Sequence, residues 1–195
     1  MSNLPSADEL RSLLDHLRPA TLLSLLNVDE LPITLVPYQV DALIELDRDA
    51  EAAERLLAVV EALSGEARVL AELCQCKLLL RQGQIDMAIL TAEAAAERSP
   101  SQQLRATALS WVARGLAAKR NWALAESTLL QAISLAPDDL GVLLGQARVA
   151  LLTDQRLQAR ATYERLLSSY PEHAAWGLAH VAYLLGEFEA AQQQI

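Results

Sequence analysis

Apolar and polar residues alternate along most of the chain with the period of a helix. The stretch RNWALAESTLLQAISLAP, residues 120–137, puts Trp122, Ala125, Leu129 and Ala132 on one stripe and closes at Pro137. That spacing predicts an amphipathic helix with one buried face. Two of its stripe positions are alanines, where a larger side chain would bury more surface. Small residues on a buried stripe let another helix approach closely, so the pattern asks for a closely packed partner.

The pattern repeats. A step of 34 residues carries Ala125 onto Ala159, Leu129 onto Tyr163, Ala132 onto Leu166 and Pro137 onto Pro171. The preceding helix moves with it, Ala113 onto Ala147, Arg114 onto Arg148 and Leu116 onto Ala150. In the other direction, with three extra residues in the loop SPSQQ, Ala125 maps onto Ala88, Ala132 onto Ala95, Pro137 onto Pro100 and Ala113 onto Cys76. A last copy follows Ala147 at Ala179, with Gly186, Phe188 and Ala191. Self-similarity at such a period marks a stack of supersecondary units, each too small to bury its own apolar face.

These residues resemble the tetratricopeptide repeat family, whose pattern is W-x2-L-G-x2-Y, then G-x-Y-x2-A-x3-F-x2-A, then P. The matching residues are Leu109, Val112, Ala113 and Leu116 with Trp122, Ala125, Leu129, Ala132 and Pro137; then Leu143, Gln146 and Ala147 with Ala159, Tyr163, Leu166 and Pro171; then Ala175, Leu178, Ala179 and Ala182 with Gly186, Phe188 and Ala191. Glu72, Gln75 and Gln146 depart from the usual apolar residues, and Arg156 stands in place of an aromatic. The resemblance implies an all-α fold, a right-handed superhelical solenoid of antiparallel helix pairs. It covers residues 66–195, with the last repeat truncated in its second helix. Residues 34–65 form a degenerate repeat or a helical hairpin, alignable through Ala53 but with Asp41 in the small-residue place. Residues 1–33 form an N-terminal helical cap, with helices at about 6–17 and 20–27 either side of a break at Pro19 and a loop at NVDELP. Ser6 and Glu9 have the spacing of a capping box.

Composition sharpens this picture. Hydrophobic residues make up 52% of the 195, yet aromatics only 4%. A core rich in Leu and Ala favours helix over strand. The net charge of −9 argues against nucleic acid or an anionic membrane as the partner of the whole chain. Cys74 and Cys76 lie two apart in a predicted helix, about 200° apart around its axis, and read as reduced packing residues. No secretory signal pattern opens the chain, and no apolar run reaches bilayer-spanning length, so the expected location is cytoplasmic without membrane insertion.

No phosphate loop, dinucleotide fingerprint, nucleophile elbow or zinc-helix motif occurs, and His16, His173 and His180 lack metal-site spacing. Asp47, Asp49 and Glu51 read as charges favouring a helix N-terminus. No catalytic residue, metal or cofactor is expected.

In the resembling family the first helix of each repeat lines a concave groove. The positions just after the small residue are then Lys77, Arg114, Arg148 and His180. One turn away stand Leu73, Ser110, Leu144 and Trp176, and a turn further on Leu80, Ala117, Leu151 and Tyr183, with Arg81 beside Leu80. No acid occupies these places in the last four repeats. The expected binding residues are Lys77, Arg81, Arg114, Arg148, Trp176, His180 and Tyr183, facing a protein or peptide segment with carboxylates and apolar anchors. The opposing reading pairs these cations with acids such as Glu72 and Glu126, and packs Trp176 and Tyr183 on a following repeat. Some members clamp a chaperone's C-terminal carboxylate with Lys and Asn. The corresponding Leu73, Lys77, Ser110 and Arg114 include no Asn, so that role is not carried over. The expected function is a non-catalytic protein–protein interaction scaffold. Its alternative is a regulatory or targeting arm of a larger enzyme, transporter or transcription regulator. An uncapped C-terminal end also offers a surface for homo-oligomerisation.

Overall fold

A computed structural model describes residues 5–16, 18–27 and 31–193. Leu17, residues 28–30 of the NVDELP loop, and the expected helix continuation to Ile195 lie outside the described residues. Among those described, every regular element is helical. The chain divides into two compact units between Pro100 and Ser101.

The first unit opens with α1 (Ala7–Asp15) and α2 (Pro19–Leu25). The capping box forms as expected: the Ser6 amide donates to Glu9 Oε2 at 2.8 Å and the Glu9 amide donates to Ser6 Oγ at 3.3 Å. Pro19 starts α2 as its first residue rather than merely breaking the chain, because a missing amide proton costs nothing there. Leu10, Leu22 and Leu26 pack against Tyr38 and Ala42 of α3 (Val36–Glu45). Then α3 pairs with α4 (Asp49–Val59), and α5 (Gly65–Arg81) pairs with α6 (Ile85–Arg98). A core of Val40, Leu43, Ile44, Ala52, Leu56, Ala71 and Cys74 joins α3, α4 and α5.

The second unit is built from three helix pairs: α7 (Gln102–Ala118) with α8 (Trp122–Leu135), α9 (Leu140–Leu152) with α10 (Arg156–Leu166), and α11 (Pro171–Leu185) with α12 (Phe188–Gln193). Helix α9 also packs on α7, and α10 on α11. The alanines of the repeat pattern sit at these crossings, and Ala125, Ala132 and Ala159 are fully buried. Trp122 departs from the expected stripe. It is the first residue of α8 and is 42% exposed.

Between the two helices of each pair one residue turns left-handed: Asp47, Gly83, Arg120, Asp154 and Gly186, with φ between 56° and 80°. The repetition of one turn geometry is what makes the pairs equivalent, although the residue changes each time.

Glycine brings neighbouring helices together in the second unit. A Cβ on Gly141 would stand 2.8 Å from Thr107, and one on Gly145 would stand 2.7 Å from Ser110. These contacts fix α9 parallel to α7 with the register of the sequence repeat. Asp139 fastens the same join by capping the Val142 amide at 3.1 Å and accepting from Thr107 Oγ1 at 3.0 Å and Gln103 Nε2 at 2.8 Å. Gly177 of α11 takes the ring of Tyr163 from α10, where a Cβ would lie 2.2 Å from the ring carbons. Gly177→Ala is therefore expected to lower stability by about 1–3 kcal/mol through overpacking. It does so although alanine gains up to about 1 kcal/mol in helix propensity. A urea unfolding midpoint equal to that of the parent chain would show that Tyr163 does not rest on Gly177.

Candidate functional site

The cations expected on the first helices have two different fates. In the first unit, the Lys77 ammonium of α5 donates to Asp41 and, at 3.3 Å, to Glu45, both on α3. Burial works to depress the Lys77 pKa, but the Asp41 and Glu45 carboxylates outweigh it and hold the group above the usual lysine value. With its folded pKa raised, Lys77 contributes this stabilisation fully at neutral pH and loses it only as pH rises through that elevated value. Arg81 pairs with Asp47 at 2.8 Å and Asp49 at 3.1 Å. Acids at the turn before α4 and in its first turn therefore hold α5. Glu72, an acid at an apolar place of the pattern, is buried and accepts from Arg68 Nε at 2.9 Å and Arg98 Nη1 at 2.7 Å. It is not a partner of Lys77 or Arg81.

Cys74 and Cys76 are free and buried. Burial pushes the Cys74 thiol well up, and its Sγ lies 3.5 Å from the Pro37 carbonyl. A thiol so placed is a packing group rather than a nucleophile. Among the described residues no group of three or more His, Cys, Asp or Glu is placed to hold a metal ion, and no helix is long and apolar enough to cross a membrane.

In the second unit the ladder has another character. The Arg114 guanidinium lies over the Trp111 ring, 3.7 Å from its centroid, a cation–π contact one helical turn long. The repeat pattern puts Trp111 near the groove, with core packing as its expected use. Arg148 is exposed and makes no hydrogen bond or ion pair among the described residues. It stands one turn after Gly145 of α9, which packs against Ser110, one turn before Arg114 of α7. Tyr163 of α10 is buried with its ring against Gly177 of α11. Burial raises its phenol pKa, and the charges of Arg148 and Arg114 act against that rise.

On α11, Trp176, His180 and Tyr183 follow one helical face. Trp176 is 67% exposed and Tyr183 61%. The Tyr183 ring meets Phe188 of α12 edge-on, with centroids 5.6 Å apart. The helices are held by α10: Arg156 donates to the Leu184 carbonyl at 2.6 Å, and Arg160 pairs with Glu187. Arg156, which replaces an aromatic of the pattern, thus satisfies an orphan carbonyl in the last turn of α11.

The charges divide as the units do. Eight cations and eight acids fall from Ser101 onward, so the whole net charge of −9 belongs to residues 1–100.

Comparison with known proteins bears on the fold. A tetratricopeptide repeat protein from Parabacteroides merdae superposes with a TM-score of 0.54 at 13% identity, over 96% of this chain and 75% of that one. The chain has the tetratricopeptide-repeat fold. BtubC (BKLC) from P. vanneervenii is similar as well, with a TM-score of 0.51 at 16% identity, over 96% of this chain and 83% of the other. No protein-family model and no curated protein matches the sequence.

The contrast between the units is measurable. Lys77→Met leaves Asp41 and Glu45 facing each other without a cation and is expected to cost about 1–2 kcal/mol. Arg148→Ala is expected to change stability by no more than about 0.5 kcal/mol. Chemical denaturation followed by circular dichroism compares them. A loss for Arg148→Ala as large as that for Lys77→Met would make Arg148 a packing residue.

Proposed function

We propose that this protein is a non-catalytic interaction module whose second unit binds an acidic segment of a protein partner. The observation that carries this reading is the state of Arg148. It is an exposed cation presented on α9, with no carboxylate of the described residues engaged to it. The first unit supplies the comparison, since there each corresponding cation has acids from a neighbouring element.

Arg114, Arg148 and His180 supply the polar side of the surface. Leu144 and Leu151, half-buried on α9, and the exposed Trp176 and Tyr183 on α11 supply apolar ledges. A segment with carboxylates spaced among apolar side chains complements both. Helix packing fixes the donors before binding, so ordering costs fall mainly on the partner. Lys77 and Arg81 serve the first unit's own cohesion in this reading.

A phage-displayed library of random peptides tests it. Selection on the full chain is expected to enrich peptides rich in Asp or Glu with interspersed aliphatic or aromatic residues. Their binding should weaken with rising ionic strength and fall by about tenfold or more in an Arg114→Glu/Arg148→Glu variant of unchanged helicity. Enrichment of neutral or basic peptides, or equal retention by the double variant, would remove the second unit's ladder as the site.

A further inference from the structure

We propose that the outward face of α6 is a docking surface for a preformed amphipathic helix of a protein partner, one that carries Lys or Arg beside a strip of aliphatic residues. The surface belongs to the first unit and is independent of the ladder on α7 and α9.

Helical periodicity lays out the face. At about 100° per residue, Asp86, Glu93 and Glu97 fall within about 40° of one another, and Met87, Leu90 and Ala94 fall within about 60° along the adjoining strip. The opposite side of α6, Ala88, Ile89, Ala92, Ala95 and Ala96, is buried. Met87 is 53% exposed and Leu90 58%, and the three acids are exposed beside them. An apolar strip therefore runs along the solvent side of the helix with carboxylates at its edge. An exposed apolar strip rimmed by charge has the form of an interaction surface.

The fold makes no use of these side chains. Glu93 and Glu97 make no hydrogen bond or ion pair among the described residues. Four residues apart on one helix, they repel each other. Glu97 stands in the last turn, at the negative end of the helix dipole, where a carboxylate opposes the helix. The cation of that turn, Arg98, is engaged with Glu72 at 2.7 Å. The repeat does not demand these residues either. In α8 the places of Leu90, Glu93 and Glu97 hold Ser127, Leu130 and Ser134.

Charge decides the occupant. Residues 1–100 hold the whole net charge of −9, so the first unit draws cations. A simple cation leaves the apolar strip wet, and a neutral or acidic helix leaves the carboxylates uncompensated. A basic amphipathic helix laid along α6 meets both strips with the same spacing of three and four residues. A short unfolded peptide would first have to nucleate that helix, so the occupant is a helix already formed in its own protein.

Fluorescence polarisation on the full chain with covalently stapled helical peptides tests this. One probe carries a leucine strip flanked by lysines, a second has glutamate for each lysine, and a third has serine for each leucine. The leucine–lysine probe is expected to bind, and the other two at least about tenfold more weakly. Leu90→Glu adds negative charge to the chain, yet it should weaken that probe about tenfold because it interrupts the apolar strip. Glu93→Gln/Glu97→Gln should weaken it by a similar factor while melting no lower than the parent chain, since the pair it removes is repulsive. Leu57→Glu, at an exposed leucine of α4, should not weaken it. Arg148→Ala should leave it unchanged, so failure here does not touch the acidic-segment reading. Unchanged or tighter binding by Leu90→Glu would make the chain's net charge, not α6, the cause, and overturns the proposal. Equal binding of the three probes, no binding of the leucine–lysine probe, a lower melting point for the glutamine pair, or loss of binding with Leu57→Glu alone overturns it as well.

Discussion

Close approach of helices through small residues is the constraint on which this structure depends. Leu-rich helices of two to four turns bury too little surface to fold alone, so each must lie against its neighbours. Where Ala125, Ala132 and Ala159 sit, a larger side chain would hold the helices apart. Where Gly141, Gly145 and Gly177 sit, even a methyl group meets another helix. The register of those contacts also seats the Tyr163 ring on Gly177 and joins Gly141 to Thr107 and Gly145 to Ser110, one helix pair to the next.

The two units treat the same ladder position in opposite ways. In the first, α3 brings Asp41 and Glu45 to Lys77, and the turn after α3 brings Asp47 to Arg81. Partly buried pairs of this kind hold elements together, and their removal leaves charge uncompensated. In the second, the place of Asp41 is held by Ala113 and Ala147, so the preceding helix presents no acid there. Replacing one carboxylate by a small residue both tightens the helix contact and exposes the cation. A single repeat position thereby changes a structural ion pair into an available one.

Much of the fold was legible because its determinants are local or periodic. The alanine stripes, the closing prolines and the Ser6–Glu9 box act within one helix or at a fixed step, and each is where the pattern put it. The expected binding residues were less legible. Partners of Lys77 and Arg81 come from α3 and from the turn that follows it, and sequence spacing does not reveal which acid faces which cation. Trp122 fits the helical stripe, but its exposure depends on where α8 begins. The loop SPSQQ reads as three inserted residues, and the division between the units falls inside it. Tyr163 occupies a core aromatic place, and only packing shows its ring seated on a glycine of the next helix.

Placing the net charge on one unit has a consequence for recognition. A second unit that is neutral overall attracts no anion at long range, and the acidic first unit repels one. Affinity must then come from short-range donors already in place. Short-range donors discriminate by geometry and charge count, whereas a broad positive field accepts any polyanion. A net charge of −9 gives the chain no such positive field, whereas Arg148, exposed on α9 of the neutral unit, is a localised donor of the first kind.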